Sequence, residues 1–373
     1  MGGDRKNLRI AMIGSKGLPA TYGGIERHIE EIGRRLASRG HDVTVFGRKP
    51  FSLDGTHLGM RIRVLPSIPT KNLDTATSSL AACIPSLSND FDIVHFHGIG
   101  PSIFAWIPRL ARKKTVATIH ALDYRQRKWG AFARIMLKMG ERSAVRNTDA
   151  AIAVSKLMTG QLSAQYSRKV HYIPNGANLR SVPDFRDSSS LGLKSGGYIL
   201  TVGRFIMERE FHTLIRAFSG IDTEMKLVIA GDERFEGEYA RRLREIADPR
   251  VIFPGYVSGE RLDELYAHCR FYVLPSLVEG LPISLIEAMS FSKPVLISDI
   301  PENIEVAEGV ARIFAKGDRS DLARALKEMI GMGEDERTAM GRKGRDRVIG
   351  EYDWDRITDS TESLYLDLMR RGR

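Results

Sequence analysis

Two carboxylates, Glu279 and Glu287, bracket the stretch Glu279-Gly-Leu-Pro-Ile-Ser-Leu-Ile-Glu287. An apolar run at 271–274 leads into it and reads as a buried strand. Pro275, Gly280 and Pro282 interrupt regular structure, and a helix is expected from Ile283 to about residue 291. Pro282 suits the first helical position, where its missing N–H costs nothing. Gly280 has no Cβ, so a ligand can approach the backbone there. The free N–H groups at the helix start, carried by the segment Gly280, Leu281, Pro282, Ile283 and Ser284, form an anion site together with the helix dipole. Carboxylates do not suit a phosphate. They suit hydroxyl groups on either side of a diphosphate, an order of groups that a sugar nucleotide has. The plainer alternative is that Glu279 is a solvated loop residue and Glu287 part of a solvated helix face.

Further candidates sit at other strand ends. Tyr198-Ile-Leu-Thr-Val-Gly203 reads as a strand, and Arg204 and Arg209 follow it before a helix from about residue 210. Two cations at the mouth of such a loop can neutralise a diphosphate, an arginine doing so bidentately. The alternative is a pair of surface arginines. His95, His97 and His120 lie at or just after the ends of apolar strands, the place where open α/β sheets bind ligands. They are possible metal ligands, but no carboxylate or thiol pattern accompanies them. His95 and His97 read as satisfied sheet-end residues.

The elements that must hold these groups alternate along the chain. Residues 8–13 form a strand, residues 14–24 a glycine-rich loop containing Gly23 and Gly24, residues 25–39 an amphipathic helix, and residues 41–46 a strand: a βαβ unit. The dinucleotide fingerprint G-x-G-x-x-G is absent and no acidic residue ends the second strand, which argues against an NAD enzyme. Strands at 61–65, 91–95 and 115–119 alternate with helices at 72–87 and 101–111, the pattern of a parallel sheet covered on both faces. Ser155 is placed to cap a helix after the strand at 149–154. A second alternating set runs from residue 198 through strands at 226–231, 251–257, 271–274, 293–297 and 310–314 and closes with three helices.

The 373 residues suggest two domains. The expected division is residues 1–180 with a returning C-terminal helix at about 353–373, a linker at 181–197, and residues 198–352. A hydrophobic content of 42% and a charged content of 27% describe a globular protein with two cores. Two distant cysteines, Cys83 and Cys269, argue against a disulfide framework and fit a reducing compartment. No signal peptide and no membrane span is expected. The net charge of +10 is divided as +15 over residues 1–185 and −5 over the rest, so the first half is the one expected to meet an anionic surface.

The stretch from Glu279 to Glu287 resembles the E-x7-E signature of the family-4 retaining glycosyltransferases, which have the GT-B fold of two Rossmann-like domains, each with a parallel sheet, facing across a cleft, the C-terminal helix crossing back to the first. The run Ile13-Gly-Ser-Lys-Gly-Leu-Pro-Ala-Thr-Tyr-Gly-Gly-Ile-Glu26 also resembles a subgroup that builds bacterial polysaccharides. The resemblance covers nearly the whole chain, with His171-Tyr-Ile-Pro-Asn-Gly176 at the handover between domains. It implies that Glu279 lies by the donor sugar and diphosphate and Glu287 at the ribose hydroxyls, with the amides of residues 280–284 on the phosphates. It also implies that Arg204 and Arg209 bind the diphosphate, that His120, within Thr118-Ile-His-Ala-Leu-Asp123, orients the donor sugar, and that Gly23 and Gly24 approach the donor. Tyr256 and Val257 would meet the nucleotide base. The chain departs from the family pattern at Arg209, where lysine is usual, and at Glu210, where glycine is usual. Charge is kept, but reach and geometry change.

The expected activity is therefore transfer of a hexose or deoxyhexose from a nucleotide sugar to a carbohydrate or lipid-linked saccharide in surface polysaccharide biosynthesis, with retention. No cofactor and no metal requirement are implied. A sugar-nucleotide epimerase and a non-catalytic nucleotide-sugar-binding protein remain as alternatives. Asp90-Phe-Asp92 has the D-x-D form of the metal-dependent glycosyltransferases, but it precedes a strand instead of following one. Residues 124–146, from Tyr124 to Arg146, mix seven basic residues with Trp129, Phe132, Ile135, Met136 and Met139. Such a helix can lie on an anionic membrane, or pack an apolar stripe into the core. The membrane reading places the protein in the cytoplasm, on the inner face of the cytoplasmic membrane. No nucleic-acid-binding signature is present.

Overall fold

The computed structural model describes residues 7–371 except 22, 69, 71–73, 89, 127–128 and 232–236. It divides the chain into two compact units, Met1–Asn175 with Trp354–Arg373, and Gly176–Asp353. The first unit runs β1 (Arg9–Ile13), α1 (Gly24–Ser38), β2 (Asp42–Arg48), β3 (Gly55–His57), β4 (Met60–Leu65), α2 (Asp74–Ser86), β5 (Ile93–His97), α3 (Trp106–Leu110), β6 (Lys114–Ile119), α4 (Ala131–Arg146), β7 (Ala150–Ala153), α5 (Lys156–Tyr166) and β8 (Val170–Tyr172). Its sheet has the order β3-β4-β2-β1-β5-β6-β7-β8. All pairings are parallel except β3 with β4. Ile13, Val94, Phe96, Ala117 and Ile119 are buried in its core, as strands covered on both faces require. Gly14, at φ +115°, ends β1, and a side chain there would collide with the His97 carbonyl oxygen. The ends of β1 and β5 can therefore lie close together.

The second unit runs β9 (Tyr198–Val202), α6 (Phe211–Ser219), β10 (Lys226–Ala230), α7 (Glu238–Glu245), β11 (Val251–Ile252), α8 (Gly259–His268), β12 (Phe271–Leu274), α9 (Ile283–Ser290), β13 (Val295–Ser298), α10 (Pro301–Ala307), β14 (Arg312–Phe314), α11 (Arg319–Gly331) and α12 (Glu334–Glu351). Its six strands are all parallel in the order β11-β10-β9-β12-β13-β14. Asp318 caps α11 by accepting from the N–H groups of Ser320 and Asp321. The chain then returns to the first unit as α13 (Trp354–Arg370). There Trp354 and Tyr365 are fully buried, and Glu362 meets Arg39 at 2.6 Å and His41 at 3.1 Å.

Several elements differ from expectation for definable reasons. The expected helix at 101–111 is broken into a 3-10 turn at Pro101–Phe104 and the short α3, because Pro108 has no N–H to donate to the Phe104 carbonyl four residues back. The basic segment from Tyr124 is a 3-10 turn at Asp123–Arg125, and its helix begins only at Ala131. Arg127 and Lys128 lie outside the described residues. Strand β3 was not anticipated. It is a three-residue hairpin arm, too short for a periodicity to show. The stretch expected as a linker, 181–197, is packed as part of the second unit. Buried Glu264 accepts from the N–H groups of Arg186 at 2.9 Å and Ser188 at 2.8 Å, and Gly196 donates to the His268 carbonyl. Its Pro, Ser and Gly content suggests a linker, but a carboxylate distant in sequence satisfies its backbone.

Candidate functional site

Both sheets change winding direction at one strand pair. In the second unit the sheet runs outward from β9 on one side and β12 on the other, so the loops leaving those two strands open at the topological switch point. The β9 loop carries Arg204 and Arg209, and the β12 loop carries Glu279. Leu277 N–H donates to the Glu208 carbonyl at 2.9 Å, which clips the loops together. Arg209 also donates to Ser276 Oγ at 3.4 Å and forms an ion pair with Glu279. The Glu279 side chain is 8% exposed and that of Arg209 18%, so the pair is largely desolvated. Arg204 is exposed, and its guanidinium has no partner among the described residues.

Helix α9 starts at Ile283 as expected, but Pro282 stands just outside it as N-cap instead of in the first helical position. The N–H groups of Leu285 and Ile286 turn back to the Pro282 carbonyl. Those of Ile283 and Ser284 have no backbone acceptor among the described residues. Among the described residues no side chain caps this helix, so its positive end is available to an anion. Ser284 Oγ accepts from Tyr272 Oη at 2.8 Å, and Glu287 accepts from Tyr266 Oη at 3.2 Å. Both tyrosines are buried, and burial pushes both phenols upward from their ordinary range, which keeps them neutral donors. Sequence reasoning missed these two supports. The buried strand suggested Tyr272, and Tyr266 lies on the apolar side of α8. Tyr256 is partly exposed and follows Gly255, which has φ +76°; Val257 is buried.

Glu210 has φ +54°, in the left-handed region, where an L side chain costs roughly 1 kcal/mol or more. This is the position where the resemblance expects glycine. The Glu210 carboxylate accepts from Thr213 Oγ1, a local bond that helps to hold the conformation.

In the first unit the equivalent strand ends carry the other candidates. Gly23 is the N-cap of α1 and Gly24 its first residue. The preceding loop is held down by α1 itself: Glu26 accepts from Lys16 N–H and Glu30 from Ala20 N–H, each at 3.0 Å. His120, after β6, and His97, at the end of β5, approach to 3.3 Å. His28 of α1 joins them, its ring centroid 4.6 Å from that of His120. His28 Nδ1 lies 2.9 Å from Asn175 Oδ1. His95 is satisfied, between Tyr365 Oη at 2.6 Å and Thr118 Oγ1 at 2.7 Å. His97 is not: its Nε2 is buried with no hydrogen-bond partner among the described residues. Burial holds all four rings below the ordinary histidine range, His28 at about 4 and His95 at about 3. Sequence reasoning passed over His28. Its spacing from Ile25, Ile29 and Ile32 puts it on the buried face of α1, which was the available signal.

The two thiols carry no such chemistry. Burial pushes Cys83 and Cys269 up to about 12, so neither is a ready nucleophile.

Two parallel-sheet α/β units, with a helix returning from the second to the first, have the architecture of the GT-B fold. The comparisons agree with this. Residues 22–181 match the family described as Glycosyltransferase Family 4, and residues 185–347 match Glycosyl transferases group 1. The chain belongs to this glycosyltransferase family. It is 24% identical to the O-antigen chain mannosyltransferase C of Escherichia coli, over 97% of this chain and 99% of that protein. Among solved structures it is similar to the sucrose-phosphate synthase of Thermosynechococcus elongatus, with a TM-score of 0.84 at 22% identity, covering 98% of this chain and all of the other. It is also similar to Anabaena HepE, solved in complex with UDP and glucose, with a TM-score of 0.79 at 17% identity over 97% of this chain and all of that one.

Proposed function

We propose that the protein transfers a hexose or deoxyhexose from a nucleoside-diphosphate sugar to a carbohydrate or lipid-linked saccharide, with retention at the anomeric carbon, in the assembly of a surface polysaccharide. The observation that carries this reading is the clipped pair of loops at the second switch point. Those loops and the helix after them carry two arginines, an uncapped helix start and two carboxylates, a set that would suit a diphosphate flanked by two hydroxyl-bearing sugars. UDP and glucose bound to HepE, and the O-antigen activity of the Escherichia coli relative, support the donor and product classes.

Arg204, Arg209 and the amides at the start of α9 would neutralise the leaving diphosphate, most strongly as its charge develops. The bond from the anomeric carbon to the phosphate oxygen breaks, and its electron pair stays on phosphate. The acceptor oxygen bonds to that carbon from the same face, and its proton passes to the departing phosphate oxygen. Glu279 and His120 orient the donor sugar, and Glu287 holds the ribose. Tyr256 and Val257 meet the base, and Gly23 and Gly24 admit the donor. No metal is required for neutralisation in this scheme.

The acceptor side is read from α4. Phe132, Ile135, Met136 and Met139 are exposed at helical spacing, with Phe132 76% exposed, and Arg134, Lys138 and Arg142 lie exposed among them. An exposed apolar stripe with basic flanks suits an anionic membrane surface and a lipid-linked acceptor held there, on the cytoplasmic face. Among the described residues no helix is long and apolar enough to cross a membrane.

The test is a thermal-shift panel of UDP, dTDP, GDP and NAD with and without magnesium, followed by product analysis with the nucleotide sugar selected. A ligand that binds only the folded state raises the melting temperature. One nucleoside diphosphate is expected to do so without magnesium, and the product is expected to keep the donor's anomeric configuration. Stabilisation by NAD alone, or an inverted product, overturns the reading. Isomerised donor without acceptor would show an epimerase, and binding without turnover a sensor.

A further inference from the structure

The transfer scheme uses His120 but leaves its two buried neighbours without a role. His28 from α1, His97 from β5 and His120 after β6 each offer one ring nitrogen, and the three atoms lie within 4.8 Å of one another with every ring buried. We propose that His28, His97 and His120 form a site for one divalent transition-metal ion of the zinc type. The proposal gives the metal the His120 ring nitrogen that faces His97, and leaves the other ring nitrogen to the donor sugar.

The donor set decides the metal class. Three imidazoles without a carboxylate suit zinc and its neighbours, and do not suit magnesium, calcium or manganese, which take oxygen ligands. Three histidines are a sufficient protein set for a tetrahedral ion whose fourth position stays open. Zinc–nitrogen bonds of about 2.0–2.1 Å put two ligand nitrogens about 3.3 Å apart on such an ion. His97 Nδ1 and His120 Nε2 are 3.3 Å apart.

The surroundings agree. Asn175 Oδ1 is an acceptor, so His28 Nδ1 carries the ring proton and Nε2 keeps its lone pair. That is how a supporting residue commonly orients a metal-binding histidine. Such an ion would tie α1 to the ends of β5 and β6. His120, at 8% exposure, is the least buried of the three, and the ion's fourth position would stay open. A solvent molecule or a ligand oxygen would fill that position.

The test is a metal titration of the full-length chain after chelation, read without reference to activity. Cobalt(II) is expected to give the visible bands of a tetrahedral site, saturating at one ion per chain. Zinc should displace it and raise the melting temperature. X-ray absorption of the zinc-loaded chain should show three imidazole nitrogens and no sulfur. His28→Gln and His97→Gln should each lose stoichiometric uptake while keeping the wild-type circular dichroism spectrum. A wild-type chain that takes up no stoichiometric metal shows that the 3.3 Å contact is an ordinary hydrogen bond, and overturns the proposal. Retained uptake in either folded variant does the same. Should both variants fail to fold, the wild-type absorption spectrum decides, and fewer than three imidazole nitrogens rejects the site.

Discussion

Arg209 and Glu279 form an ion pair that is largely desolvated, so each depends on the other. Removing one partner of such a pair leaves the other buried and uncompensated. Arg209→Ala is expected to lower kcat by about 10²–10³, the usual cost of losing one transition-state donor. It should also cost about 1–3 kcal/mol of stability in urea unfolding, through the stranded carboxylate. The double variant Arg209→Ala/Glu279→Gln should regain most of the stability and none of the activity. Arg204→Ala, at an exposed position with no partner among the described residues, should lose transfer with an unchanged melting temperature. Full activity in Arg204→Ala or Arg209→Ala would sink the site assignment. Glu210 allows a second prediction at this scale. Its left-handed conformation suits glycine, so Glu210→Gly should fold at least as stably as wild type, with a gain of up to about 1 kcal/mol, and should keep its activity. A loss of several kcal/mol would show that the bond to Thr213 outweighs the backbone strain.

Among the elements, α4 is seated by one face and exposed by another. Gly140 makes the seat possible, because a Cβ there would collide with the Ile99 carbonyl oxygen. Gly140→Ala should cost about 1–3 kcal/mol, as overpacking does, measured as a fall in the urea midpoint. The opposite expectation holds on the exposed side. Phe132→Ser with Ile135→Ser should leave the midpoint almost unchanged, because both side chains already face solvent. The same pair should reduce flotation with anionic vesicles, and added salt should weaken the binding of wild type. Equal binding by variant and wild type would remove α4 as the membrane contact.

This helix also shows how far the sequence could be read. Basic and apolar residues from Tyr124 to Arg146 were visible, and two fates were open for the apolar stripe. Periodicity reports that a helix has two faces. It does not report which face the neighbouring turn at Pro101–Phe104 will cover.

At the scale of the whole molecule, α13 belongs to the first unit although the second unit's chain precedes it. It supplies buried Trp354 and Tyr365, the latter 2.6 Å from His95 Nδ1, and Glu362 for Arg39 and His41. A chain ending at residue 353 should lose the folded first unit, while residues 176–353 alone should still fold and be stabilised by the nucleotide chosen in the panel. Calorimetry of the two fragments checks this. A cooperative transition from residues 1–175 alone would contradict it.

The sequence by itself determined two sets of parallel strands, the loops at their carboxyl ends and the E-x7-E stretch with its flanking proline and glycine. These are local properties: apolar period, helix punctuation and backbone freedom act over a few residues. Only the tertiary structure decided that Arg209 pairs with Glu279, that Glu264 fastens the supposed linker, and that His28 and Asn175 complete a cluster with His97 and His120. Each of these joins residues far apart in the chain. Their meeting depends on strand order and on how helices pack over the sheet, and no local pattern encodes that geometry.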